Sequence, residues 1–259
     1  MAVIGAILGD IAGSQCERYP AQIHDYDRCK LFTDRCRFTD DTVMTLAVKE
    51  AILDHIPFAE ALREFGRKYF DRGYGGRFRE WLRDETMGPY NSYGNGAAMR
   101  CSFVGEHFNT EDEVIQWATK SAECTHNHPE GIKGAVVTAM CIYMARTGAS
   151  KEDILKYTAR QYPKSDYRYS AEYSLDEYKD SYKWDASCQG SVPTAIRCFY
   201  ESEDYESFIR NVFSLHCDRD TLAAIGGGVA EEFYHGTMPR EEELLKKYLP
   251  DHLYILAKK

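Results

Sequence analysis

The chain has 259 residues, 44% of them apolar, and a formal net charge of −9. That is enough material for one large domain or two small ones, and the acidic balance excludes a general nucleic-acid or anionic-membrane surface while leaving room for a nucleotide in a local pocket. Nine cysteines with no Cys-x-x-Cys pair suit neither a zinc ribbon nor a disulfide framework, and a reducing compartment fits them best.

Residues 1–13 are mildly apolar, but they lack a basic start and soon reach Asp10, which does not suit a signal peptide. No apolar run approaches the ~20 residues that span a bilayer, so a cytoplasmic protein is expected. Phe38-Thr39-Asp40-Asp41-Thr42 then precedes an apolar helical stretch. In 58–70, Phe58, Ala61, Leu62, Phe65 and Tyr69 share one helical face. Gly94-Asn95-Gly96 precedes Ala97-Ala98-Met99-Arg100. Thr110 and Glu113 have capping-box spacing, opening a helix through Val114, Trp117 and Ala118. The stretch 130–147 is rich in Ala, Val and Met and stops at Gly148, a C-cap residue. Ser150 caps the next helix, and Ser174 with Glu177 repeats the capping-box spacing. The tyrosine-rich stretch 166–186 reads as a solvated connection. Further helices are predicted at 191–202, 204–215, 221–234 and 239–247, the last with Pro239 in its first turn. With no convincing period-two strand and no linker or repeat, the expected fold class is all-α, a single multi-helix domain over 1–259.

Two acidic clusters share one grammar. Thr39-Asp40-Asp41-Thr42 and Asp218-Arg219-Asp220-Thr221 each set two carboxylates and a hydroxyl before an Ala-containing helix. Such oxygens are hard ligands suited to magnesium, manganese or calcium. Helix capping is the plain alternative, but it needs one acid per helix rather than two. Gly226-Gly227-Gly228 lies inside a helical pattern at a cost of ~1 kcal/mol per glycine, which close helix–helix packing explains best. At Gly94–Gly96 bare backbone before a helix start can present N–H groups to a phosphate. Asp10 is a helix-end acid or a group supporting the metals, with the second favoured. Arg100 is a phosphate contact or half of a structural ion pair, again with the second favoured. His24, His55, His107, His235 and His252 read as surface residues.

Five segments together carry a resemblance. They are Gly5–Glu17, Phe38–Thr42, Gly94–Arg100, Thr125-His126-Asn127-His128-Pro129-Glu130-Gly131, and Asp218–Thr221 running into Ala223–Gly228. In this order they resemble the ADP-ribosylglycohydrolase family, which includes the dinitrogenase-reductase-activating glycohydrolases and the ADP-ribosylarginine and ADP-ribosylserine hydrolases. The resemblance runs from residue 3 to about residue 236. It implies a single all-α domain with a pair of Mg2+ or Mn2+ ions and hydrolysis at C1″ of the distal ribose. By matching positions it implies metal ligands at Thr39, Asp40, Asp41, Asp218, Asp220 and Thr221. Substrate contacts fall on Gly94, Asn95, Gly96 and His126, and catalytic roles on Glu17, Asp41 and Asp220. Ser187–Pro193 matches a less distinctive loop beside the site. The implied partner is ADP-ribose or an ADP-ribosylated protein, with an arginine linkage expected first. No nucleic acid and no membrane are expected, and the chain is expected as a monomer.

Two departures stand out. The family's usual Gly-Gly-Asp-Ser-Asp-Thr reads His216-Cys217-Asp218-Arg219-Asp220-Thr221 here, and Asn91-Ser92-Tyr93 lacks an acid that some members carry. Arg219 is expected to point outward, because an inward guanidinium would compete with the cations. A non-catalytic ADP-ribose-binding protein, or a hydrolase of another ribosyl metabolite, are the alternatives.

Overall fold

The structure, a computed structural model, describes residues 1–16 and 25–259. Glu17 therefore lies outside the described residues. Among them the chain forms fourteen α-helices and no strand, the all-α class expected. In order they are α1 (Ala2–Ser14), α2 (Asp40–Leu53), α3 (Phe58–Lys68), α4 (Gly76–Arg83), α5 (Ser102–His107), α6 (Glu111–Glu123), α7 (Pro129–Arg146), α8 (Lys151–Gln161), α9 (Leu175–Ser181), α10 (Cys188–Tyr200), α11 (Tyr205–Phe213), α12 (Arg219–Tyr234), α13 (Glu241–Tyr248) and α14 (Asp251–Lys258).

The centre is a helix pair whose sequence leaves no room for side chains between them. Every residue of α1 is buried, as an all-round apolar helix requires. Gly5, Gly9 and Gly13 recur every four residues on one face. A Cβ on Gly5 would lie 2.3 Å from the Gly227 carbonyl oxygen, one on Gly9 2.2 Å from that of Ala223, and one on Gly13 2.3 Å from Asp220 N. The two helices thus run antiparallel at backbone contact. The close-packing reading of the glycine triplet holds: Gly227 and Gly228 face α1, while Gly226 faces the Phe208 ring. This register sets the head of α12, with its two aspartates, beside the end of α1.

The other end of α1 is held by acids. Its N–H groups at Ala2, Val3 and Gly5 donate to Glu232, Glu106 and Glu231 at 2.9, 3.1 and 2.5 Å, which satisfies orphan donors of the helix start.

Capping follows the sequence closely. Ser150 and Ser174 form reciprocal boxes with Asp153 and Glu177, and Thr110 accepts from Glu113 N. Gly148 leaves α7 at φ +88°, a conformation that favours glycine. Three expectations change. α10 starts at Cys188 under a Ser187 cap, so Pro193 sits inside it. Pro239 precedes α13 rather than entering its first turn. The tyrosine-rich stretch is packed, not solvated: Tyr169, Tyr178 and Tyr182 are buried, and the rings of Tyr169 and Tyr182 lie 4.5 Å apart. Their hydroxyls stay satisfied, Tyr178 donating to Ser170 O at 2.7 Å and Tyr182 to Gly190 O at 3.1 Å. Tyrosine is apolar in body and polar at its tip, so its charged neighbours did not reveal its burial.

All nine cysteines are free. No helix among the described residues is long and apolar enough to cross a membrane.

Candidate functional site

The two acidic clusters meet. α2 begins at Asp40, and its cap is Thr39, whose hydroxyl accepts from Asp41 N at 3.2 Å. Neither aspartate caps that helix. α12 begins after Asp218, which makes no capping bond; its Oδ2 accepts instead from Asn95 Nδ2 at 3.0 Å. Capping therefore does not account for the carboxylates. The positive ends of both helices point at the same place, which favours negative charge there.

Asp10 joins them from α1. It is fully buried and accepts from Thr39 N at 2.9 Å, Thr39 Oγ1 at 2.6 Å and Thr42 N at 3.1 Å, and also from the Thr42 hydroxyl. One carboxylate oxygen from each of Asp10, Asp41 and Asp220 lies within 4.8 Å of the other two. The Thr39 and Thr221 hydroxyls both reach Asp41 Oδ2 at 3.4 Å. Asp41 Oδ1 is buried and has no hydrogen-bond partner.

The electrostatics follow from that crowding. Burial, then the charges of Asp10, Asp220, Asp40 and Asp218, push the Asp41 carboxyl well above the usual carboxylate range. Burial pushes Asp10 up to about 6, against the hydrogen bonds from Thr39 and Thr42 that hold it down. Burial also raises Asp218, against the bond from Asn95. Such a group of carboxylates needs a proton or a cation among them. All-oxygen donors and an orphaned buried oxygen on Asp41 fit a hard divalent cation.

The Gly-Asn-Gly segment forms one wall. It is zipped to the start of α10: Asn95 N donates to Ala186 O at 2.8 Å and Cys188 N to Tyr93 O at 2.9 Å. Asn95 Nδ2 also reaches Ser191 Oγ at 3.0 Å, so this amide ties the wall to Asp218. His126 lies against the glycines, with Nε2 3.1 Å from where a Gly96 Cβ would be. Its Nδ1 is 2.7 Å from Thr125 Oγ1, which accepts from Arg100 at 2.9 Å. With the Thr125 proton given to Nδ1, the imidazole carries its own proton on Nε2, toward Gly96. Burial, then the Arg100 charge, lowers His126 well below the usual histidine range, so it stays neutral. His128 is a cap, its Nδ1 accepting from Glu130 N.

These residues line one cavity of about 560 Å³, within the usual size of a cofactor site. Asp40, Asp41, Asp218, Asp220 and Thr221 face it, as do Gly94, Asn95, Gly96 and His126. Thr39 stands behind Asp41. Arg100 also reaches the cavity, but its bonds go to Thr125 Oγ1 and to Ser121 O at 2.6 Å; it is a buried clamp on backbone and hydroxyl, not the ion pair expected. Arg219 does not point outward: it is 2% exposed and lines the cavity. Sequence reasoning missed the Gly73-Tyr74-Gly75-Gly76 loop, Arg77 and Trp184 as lining. The three glycines in four residues were the available signal for the loop. Asp10, read as support for the metals, holds Thr39 and Thr42 through its carboxylate and lies beside Asp41 and Asp220.

A family model described as ADP-ribosylglycohydrolase matches residues 1–230. The chain is 27% identical to ADP-ribosylhydrolase ARH3 of Mus musculus, with 78% of this chain and 70% of that protein covered. It is 26% identical to ADP-ribosylhydrolase ARH3 of Homo sapiens, with 78% and 72% covered. It is 24% identical to ADP-ribosylarginine hydrolase Tri1 of Pseudomonas putida, with 99% and 76% covered. Among solved structures, a chain of an ADP-ribosylglycohydrolase-related protein complex superposes with a TM-score of 0.74 at 22% identity, covering 99% of this chain and 94% of that one. At that identity the likeness speaks for the fold.

Proposed function

The chain belongs to the ADP-ribosylglycohydrolase family, and from that premise we propose that it is a metal-dependent hydrolase that cleaves the glycosidic bond at C1″ of ADP-ribose. The observation that carries this reading is the convergence of Asp10, Asp41 and Asp220 from three helices, with Asp41 and Asp220 facing a cavity that Asn95 and His126 also line.

Asp41, Asp218 and Asp220 would hold two Mg2+ or Mn2+ ions, with Thr39, Asp40 and Thr221 completing the oxygen set and Asp10 acting beside Asp41. Bound cations would supply positive charge that orients the ribose hydroxyls and activates water. Asn95 fixes the Asp218 carboxylate through its amide. His126, neutral, donates from Nε2 to a ligand oxygen near Gly96. Gly94, Asn95 and Gly96 leave space for the nucleotide arm. Cleavage at an anomeric carbon passes through an oxocarbenium-like state, which a carboxylate-rich site favours. Glu17 is the proposed general acid or base. The substrate is free ADP-ribose conjugates or an ADP-ribosylated protein, and among linkages arginine is the first expectation from sequence.

The test is turnover of a panel of ADP-ribosyl conjugates with EDTA, and then with magnesium or manganese restored. Cation-dependent release of ADP-ribose from at least one conjugate is expected. Tight ADP-ribose binding with no release from any conjugate would favour the non-catalytic alternative.

A further inference from the structure

The contact between α1 and α12 runs in a fixed register. A Cβ on Gly5 would meet Gly227, one on Gly9 would meet Ala223, and one on Gly13 would meet Arg219 and Asp220. Each step of four residues along α1 is thus a step of four back along α12. Carried three residues past Gly13, that register sets Cys16 opposite 216–217. Cys16 and Cys217 lie just beyond the ends of their helices, and both line the cavity with Asp218 and Asp220. None of the other cysteines lines it. Cys16 is near enough for its charge to bear on the Cys217 thiol. Cys16 is half-buried and Cys217 is buried.

We infer that Cys16 and Cys217 form a thiol pair that a low-molecular-weight disulfide converts to a reversible Cys16–Cys217 bond, and that this bond switches off cation binding at Asp218. The inference rests on Asp218 being a cation ligand, as in the reading above, and adds a control to that site. The half-buried Cys16 thiol attacks one sulfur of the incoming disulfide, giving a mixed disulfide and one free thiol. The buried Cys217 thiol then attacks the Cys16 sulfur and releases the second thiol. The two cysteines lose two protons and two electrons, and the incoming disulfide takes them up. The Cys217 sulfur, which donates to Val212 O at 3.5 Å, turns to Cys16 to do so. A disulfide needs its Cα atoms about 4–7 Å apart. α1 and α12 cannot slide closer to supply this, because a Cβ on Gly13 would already lie 2.4 Å from Asp220 Cα. The adjustment falls on 216–218, ahead of α12, and draws Asp218 from the Asn95 amide that holds its Oδ2 at 3.0 Å. Burial raises both thiols, so exchange is slow and the pair answers to sustained oxidation.

The protein is incubated with oxidised or with reduced glutathione. Disulfides are mapped by peptide mass spectrometry without reduction, manganese binding is measured by calorimetry, and release of ADP-ribose is followed on the conjugate panel. Cys16→Ser and Cys217→Ala are carried alongside. Cys29→Ser and Cys36→Ser serve as controls, since those thiols also lie near Cys16. In wild type a Cys16–Cys217 peptide is expected, with manganese affinity at least tenfold weaker and restored by dithiothreitol. The Cys16 and Cys217 variants should keep their affinity after oxidation, and the two controls should lose it as wild type does. A map that joins Cys16 to Cys29 or Cys36, or that shows only mixed disulfides, overturns the inference. So does a Cys16–Cys217 bond that leaves manganese affinity unchanged. If the bond weakens manganese binding but the reduced protein releases ADP-ribose from no conjugate, the switch stands and the hydrolase reading falls. If the reduced protein binds no manganese, both fall.

Discussion

At the scale of single residues, the carboxylates explain themselves by what they lack. Thr39 caps α2 and Asn95 engages Asp218, so Asp41 keeps a buried oxygen with no partner. The Asp41 carboxyl is raised well above the usual carboxylate range by burial and four neighbouring aspartates, so a cation competes with a proton there. Cation binding should therefore release protons and tighten as pH rises, which calorimetry in buffers of different ionisation enthalpy would show; pH-independent affinity would count against Asp41 as a ligand. Asp220→Ala should lose metal-dependent turnover yet raise the melting temperature of the metal-free protein, because a repelling charge is gone. Full metal-dependent turnover in that variant would refute the ligand assignment. Glu17→Gln should lower kcat by roughly 10²–10⁴-fold with little change in ligand affinity, and an unchanged kcat would remove Glu17 from the catalytic assignment.

At the scale of elements, the site depends on how α1 meets α12. Asp10 and Asp220 come together because Gly9 and Gly13 let backbones touch. Gly9→Ala would drive a Cβ to 2.2 Å from the Ala223 carbonyl oxygen. Overpacking of that kind costs about 1–3 kcal/mol and should lower the melting temperature by several degrees. Gly75→Ala, whose Cβ meets nothing within 4 Å, should leave the melting temperature within a degree or so; equal losses in the two variants would show that the contact does not matter. The same pair carries a buried acid. Burial pushes Glu231 up to about 8 where it accepts from Gly5 N. Between its ordinary 4.5 and about 8 the folded chain keeps a proton that the unfolded chain has released. Stability therefore falls as pH rises through that window, by on the order of a few kcal/mol. Denaturant melts at pH 5 and 8 should show this fall shrinking in Glu231→Gln.

At the scale of the whole molecule, a cation that binds only the folded state stabilises it, by about 2.7 kcal/mol at a hundredfold excess over Kd. EDTA should lower the melting temperature of wild type, but not that of Asp220→Ala. The cavity itself is assembled from segments spread over the chain. The carboxylates come from Asp40, Asp41, Asp218 and Asp220, the Gly-Asn-Gly wall from 94–96, and further lining from 73–78 and 184.

The sequence by itself determined the helical class, most helix boundaries and the acidic segments. Those features are written in local periods, caps and short motifs, which act over a few residues. It also made the helix contact legible, since glycines at the cost of helix propensity have few other uses. Only the tertiary structure decided that Asp10 stands among the carboxylates, that Tyr169, Tyr178 and Tyr182 are buried, and that Arg219 turns inward. Each of those depends on which distant segment lies alongside, and side-chain direction at a helix start is set by the neighbouring helix rather than by the residue itself. At Arg219 that neighbour is α1, pressed against the head of α12 at Gly13.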